Sequence, residues 1–230
     1  RDQFMDRIIE WCKQNGGTII KQLRSMGISA DWSRTAYTMD KHYHDAVLHA
    51  FVELYKDGLI YRGYRMVNWC PKSQTGLSDE EVEMKEEEGI MVHMRYEVAE
   101  CPGEFIEIQT TRPETLMGDT AVAVHPKHPK YGKYIGKHVY RPFPRAKIPV
   151  IGDEAADLEF GTGALKVTPA HDKTDFEIGK RHKLEIIDIF NPDATLNEKA
   201  GAPFTGMTRE KAREAALEEL KKLGLLIGVK

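Results

Sequence analysis

GTGALKVTPAHDKTDFEIG, Gly161 to Gly179, and TTRPETLMGDT, Thr110 to Thr120, are the two stretches on which the reading of this chain turns. In the first, KVT ends a strand, so Lys166 and Thr168 share one face. Pro169 stops that strand, and HDKTD enters a turn or the start of a helix. Asp172 and Asp175 are three apart and on a helix would share a face. In the second stretch Arg112 ends the strand FIEIQTTR, and Pro113 suits the first position of a helical turn. Glycines, threonines and charged residues therefore sit between strongly β-forming segments. The chain between the two stretches is long enough for them to form two walls of one pocket.

The flanking sequence supplies the frame. From about Ile90, MVHMRYEV, FIEIQT, TAVAVHP, KHVYRPF, KIPVIG, ALKVTPA and EIIDIF are short runs rich in β-branched or aromatic residues, broken by Gly and Pro. Such spacing favours a barrel over a doubly wound sheet. Helical inserts are expected after Arg112–Pro113, from Asp172 to about His182, and from near Thr208 to Gly224. The N-terminal part reads as helices. Phe4, Ile8, Ile9 and Trp11 recur at helical spacing, Thr18 can cap a second helix, and Asp40 a third that ends at Gly58. MVNWCP reads as a strand entering a turn, and KSQTGLSDEEVEMKEEEG as an exposed acidic connector. The expected fold is thus mixed α/β. Residues 1–71 form a mostly helical segment, 72–89 a connector, and 90–230 a β-barrel-like domain with peripheral helices.

Composition narrows the function. At 230 residues there is room for one or two domains with a sizeable core, and a formal charge of −3 lacks the global basic signature of a pure nucleic-acid-binding module. No apolar run approaches bilayer-crossing length, and RDQFMDRIIEW carries acids where a signal peptide would be apolar. The three cysteines, Cys12, Cys70 and Cys101, are odd in number and far apart, which argues against a disulfide framework and for a reducing, cytoplasmic setting. A zinc knuckle at NWCPKS would want a second cysteine where Ser73 stands, so no metal is expected. The histidines form no ligand pattern, and no serine or cysteine has the flanks of a catalytic nucleophile.

Together with DWSRTAYTMD (Asp31 to Asp40) and LIYRGYRMVNWCP (Leu59 to Pro71), the two stretches resemble the proofreading region of the aliphatic-amino-acid tRNA synthetases, most closely the valyl branch. The resemblance covers most of the chain. It implies an editing domain inserted in a nucleotide-binding catalytic domain, within a larger valine-ligating enzyme. The ATP-binding HIGH-type and KMSKS-type motifs are absent, so no amino-acid activation is expected here. ATP and magnesium would serve the parent enzyme only, and editing would need no cofactor. The implied activity is hydrolysis of threonine mischarged onto tRNA(Val). The implied partner is that tRNA's acceptor end, with no membrane and a monomeric chain.

The resemblance also assigns residues. Asp175 matches the aspartate that holds the substrate's ammonium group, and Asp172, Thr168 and Lys166 match positions of the valyl branch. Arg112 would bind a phosphate or the terminal nucleotide, and Phe160 would stack near the terminal adenine. Thr110, Thr111 and Thr115 offer hydroxyls, and His171 an orienting group. Gly161, Thr162 and Gly163 would give backbone access to the pocket, since no Lys-Ser/Thr pair follows to make a phosphate loop. Glu114 distinguishes the valyl branch from the isoleucyl and leucyl ones. Plainer readings stand beside these. Asp172 can be an N-cap with Asp175 facing the helix dipole, Arg112 a surface arginine, Phe160 core and Thr111 structural. Two other functions stay open: an inactive module that positions the acceptor end, and editing in an isoleucyl enzyme.

Overall fold

The computed structural model describes residues 1–158 and 161–230, and the chain folds as two compact units, Arg1–Gly63 and Tyr64–Lys230. The first unit is helical. It holds α1 (Asp2–Asn15), α2 (Gly17–Ser25) and α3 (Lys41–Lys56), with a 3-10 turn at Trp32–Arg34. Thr18 is not the cap expected of it, because α2 already starts at Gly17 behind Gly16. Asp40 precedes α3, but its side chain accepts from Tyr37 N instead of capping the helix. None of these helices buries a residue, and Phe4, Trp11, Val47 and Phe51 are all exposed.

The second unit opens with a hairpin of β1 (Asn68–Cys70) and β2 (Thr75–Leu77), pinned by Trp69 Nε1 donating to Pro192 O at 2.8 Å. Part of the segment expected to be an open connector is therefore strand. A 3-10 turn at Asp79–Glu81 follows, closed by a Ser78–Glu81 capping box. The remaining strands are β3 (Val92–Glu97), β4 (Phe105–Thr110), β5 (Ala121–Val124), β6 (His138–Arg141), β7 (Ala146–Gly152), β8 (Ala164–Val167) and β9 (Leu226–Val229). They make one sheet ordered β4-β3-β9 and another ordered β6-β7-β5-β8. The two approach at β4 beside β8, and through a bridge between Val98 and Val139. Among the described residues the strands do not close into a continuous hydrogen-bonded barrel, and a small cluster around Ala121, Val167 and Ile178 lies beside one main core. Alternation explains that core. Val92, Met94 and Tyr96 from β3 and Ile106 and Ile108 from β4 turn inward to meet Val122, Val124, Val139 and Val150.

Two helices flank the sheets, α4 (Lys173–His182) and α5 (Arg209–Lys222), the latter capped by Thr208 as its sequence implies. EIIDIF is not the strand its composition suggests; only Phe190 makes an isolated bridge, to Leu196. Ile189 N instead donates to the ring of His171 and Ile189 O accepts from Asn197 N, so the segment's backbone is held by local bonds and not by a ladder. β9, a short apolar run after Gly224, joins the exposed edge of β3 and was not anticipated. Among the described residues, no helix is long and apolar enough to cross a membrane.

Candidate functional site

A cavity of about 430 Å³ opens between the end of β4, the end of β8 and the start of α4. Its walls include Thr110, Thr111, Arg112 and Thr115 from the first stretch, and Gly161, Thr162, Lys166, Thr168, His171, Asp172 and Asp175 from the second. The two quoted stretches are therefore the two walls expected from sequence. Gly163 is not part of the lining; it sits behind it at φ +69, where any side chain would run into the ring of His128. Phe160 lies outside the described residues.

Strand pairing explains how the walls meet. β8 runs antiparallel to β5 with Lys166 opposite Val122 and Val167 opposite Ala121. Thr120 N then donates to Val167 O, which carries the ladder one step further and brings Asp119 next to Thr168. Gly118 permits the approach. A Cβ there would stand 3.1 Å from both Ile187 O and the Thr168 methyl. Pro169 ends the strand, Asp172 takes an extended conformation, and its Oδ1 accepts from Asp175 N at 3.0 Å to cap α4. Asp172 is thus an N-cap, as its plain reading has it, and it also lines the cavity, with one carboxylate oxygen not used by the cap.

Asp119 is the hub of the buried polar network. Its Oδ1 accepts from Thr168 Oγ1 at 2.6 Å and lies 3.3 Å from Lys166 Nζ, while Oδ2 accepts from the Tyr96 hydroxyl. Lys166 also donates to Thr168 Oγ1, and Arg141 donates to the Asp119 carbonyl at 3.1 Å. Burial pushes the Asp119 carboxyl upward, opposed by the charge of Lys166 and by these hydrogen bonds. Sequence reasoning gave Asp119 no role in the site. The available signal was an acid held between Gly118 and Thr120, just before an apolar strand.

Asp175 is buried, and its Oδ2 accepts from Thr168 N at 2.8 Å. Burial raises its carboxyl to about 6, with Lys166 pulling the other way. An ionised Asp175 is therefore poorly compensated and suited to a cationic ligand. His171 is held neutral, since burial lowers it to about 4 and its Nε2 accepts from Ile189 N at 3.2 Å. Its ring meets Phe190 edge-on. Its carbonyl accepts from Arg112 Nη1 at 2.6 Å, fixing the guanidinium at the rim. The hydroxyls of Thr110 and Thr115 bond the backbone of residue 112, so both shape the turn as well as the wall. Thr111 is exposed at the mouth.

Behind the wall, His128 braces the glycine turn. Its Nδ1 accepts from Lys130 N and Tyr131 N, so the proton is on Nε2, which donates to Thr162 O at 3.1 Å. Among the described residues, no group of three or more His, Cys, Asp or Glu is placed to hold a metal ion.

The fold and cavity describe a pocket whose wall carries a few polar groups, offering a carboxylate to a cation and donors and acceptors to a hydroxyl or ester. Residues 1–209 match the family model of the class I tRNA synthetases (I, L, M and V), and the chain belongs to that family. Within it, the chain is 49% identical over its whole length to the valine–tRNA ligase of Clostridium acetobutylicum. It is 48% identical over 98% of its length to the valine–tRNA ligases of Treponema denticola and Geobacter sulfurreducens. It spans about a quarter of the length of these relatives, 26%, 26% and 25% respectively. Solved structures match loosely. "The crystal structure of GlLeuRS-CP1" gives a TM-score of 0.47 at 13% identity, over 61% of this chain and 98% of that one.

Proposed function

We propose that residues 90–230 form an editing domain of a valine–tRNA ligase, and that the cavity hydrolyses the ester of threonine mischarged onto tRNA(Val). The observation that carries this reading is the pairing, in one cavity, of a buried and poorly compensated carboxylate, Asp175, with Lys166 and Thr168, which Asp119 holds from behind the wall. The need is physical: a hydrophobic valine pocket excludes threonine by only about a hundredfold, a case the general theory of double-sieve editing uses as its own example. A second, polar site can select threonine because valine would leave its groups unpaired.

In this reading the α-ammonium of the aminoacyl group docks on Asp175. The threonine hydroxyl donates to the carboxylate of Asp172, which lines the cavity. Arg112, Thr111 and the backbone of Gly161–Thr162 receive the terminal nucleotide at the mouth. Water adds to the ester carbonyl, the ester C–O bond breaks, and the departing ribose oxygen takes up the proton that water gives. The neighbouring ribose hydroxyl of the substrate relays that proton, and no metal or cofactor takes part.

Asp172 provides the test of hydroxyl recognition. Asp172→Asn keeps an oxygen for the cap and removes the charge, whereas Asp172→Ala also loses a cap worth about 1 kcal/mol. Deacylation of Thr-tRNA and of Val-tRNA is measured for both variants. The ratio of the two rates is expected to fall about tenfold or more in Asp172→Ala, beyond any loss of stability. A ratio equal to wild type in both variants removes Asp172 from hydroxyl recognition.

A further inference from the structure

The 3-10 turn Pro113–Gly118 is buried at every residue, and it carries a glutamate. Glu114 is 2% exposed, and a carboxylate that deep is costly without a cation. Two arginines reach it, unequally. Arg213 of α5 forks onto both oxygens, with Nε to Oε2 at 3.1 Å and Nη2 to Oε1 at 3.1 Å. Arg112 holds its Nε 3.6 Å from Oε1, an ion-pair distance too long for a hydrogen bond. The bond Arg112 does make, from Nη1 to His171 O, keeps its guanidinium on the cavity wall.

The geometry points to Arg213 as a positioning residue for Arg112, acting through Glu114. This rests on the editing reading of the cavity. By satisfying both oxygens of Glu114, Arg213 leaves Arg112 free to face the ligand. Without Arg213 the buried carboxylate has one cation left within reach. It then draws Arg112 Nε into hydrogen-bond distance, off the His171 carbonyl and away from the cavity. Arg213 does not line the cavity, and the effect passes along a chain of two ion pairs.

The test uses Arg213→Gln and Arg213→Lys in the full chain, with Arg112→Ala and the double variant Arg112→Ala/Arg213→Gln. Arg213→Gln is expected to lower kcat/KM for Thr-tRNA hydrolysis by about ten- to a hundredfold, as misplacing a contact group by an ångström does. Arg213→Lys keeps the charge and loses the fork, so its rate falls between wild type and Arg213→Gln. The double variant is expected to be no slower than Arg112→Ala alone, because Arg213 has nothing left to position. A crystal structure of Arg213→Gln is expected to show Arg112 Nε hydrogen-bonded to Glu114. Additive losses in the double variant, or an unmoved Arg112 in that crystal structure, overturn the inference. If Arg213→Gln does not fold, Arg213→Lys carries the same cycle and the same structural comparison. Wild-type protein that leaves Thr-tRNA intact defeats the editing reading instead, and the position of Arg112 in the variant still decides this one.

Discussion

Replacing Asp175 with Asn is expected to abolish Thr-tRNA hydrolysis while making the folded chain more stable at neutral pH. Both effects come from the same burial. The amide can still accept from Thr168 N, so the local geometry survives, but it no longer offers the negative charge that the proposed substrate's ammonium would need. A loss of a thousandfold or more, about 4 kcal/mol, is expected for a charge-assisted contact in a buried site. Stability moves the other way because burial raises the carboxyl to about 6, against an ordinary value of 3.8. The folded-state value is the higher one, so the group's stabilising contribution is fully present below pH 3.8. It is lost as pH rises through about 6. On that difference the ionised group costs the native state up to about 3 kcal/mol at pH 7.5. Urea titrations of wild type and Asp175→Asn at pH 7.5 and pH 3.5 should therefore differ at the first pH and converge at the second. For wild type, kcat/KM should rise with pH through about 6, the range in which Asp175 ionises. His171, lowered to about 4, stays neutral throughout and adds no step of its own. Near-normal hydrolysis by a folded Asp175→Asn variant would remove Asp175 from the amine site.

Lys166→Met should destabilise the second unit by about 3 kcal/mol, because it takes from buried Asp119 its nearest cation and leaves only the more distant charge of Arg141. Lys166 and Asp119 have side chains only 8% and 0% exposed, so solvent cannot substitute for the lost partner. Hydrogen bonds from Thr168 and Tyr96 would remain, and they stabilise the carboxylate less than a full charge does. Adding Asp119→Asn to Lys166→Met removes the orphaned charge and should recover most of the loss. Equilibrium urea unfolding gives both numbers. A loss under about 1 kcal/mol for Lys166→Met would mean the pair is not buried as described.

Much of the site was legible because strand alternation is a local rule. Lys166 and Thr168 share a face whatever surrounds them, and Pro169 then forces the turn that makes Asp172 a cap. The opposite wall was legible because TTRP ends one strand and starts a helical turn. What stayed hidden was long-range. Asp119 becomes a hub only once β5 pairs with β8 and sets it beside Thr168. Arg213 is 99 residues from Glu114 and reads in sequence as one more charge on a solvated helix face. EIIDIF has strand composition, but its backbone is claimed by the His171 ring and by Asn197, a competition that propensity cannot register. The mixed α/β, barrel-like character of the second unit was legible from its short strands, but the absence of closure was not. Short strands can be counted in sequence, whereas closure depends on which edges find each other.

On the proposed editing function, polar groups set in the cavity wall select threonine over an isostere of nearly equal size. The most direct measurement is the rate at which the wild-type chain deacylates tRNA(Val) charged with threonine, against the same tRNA charged with valine. One or two buried groups left unpaired by valine, at roughly 1–3 kcal/mol each, give a ratio from about ten to several thousand in favour of threonine. Equal rates, or no hydrolysis of either, would contradict the account.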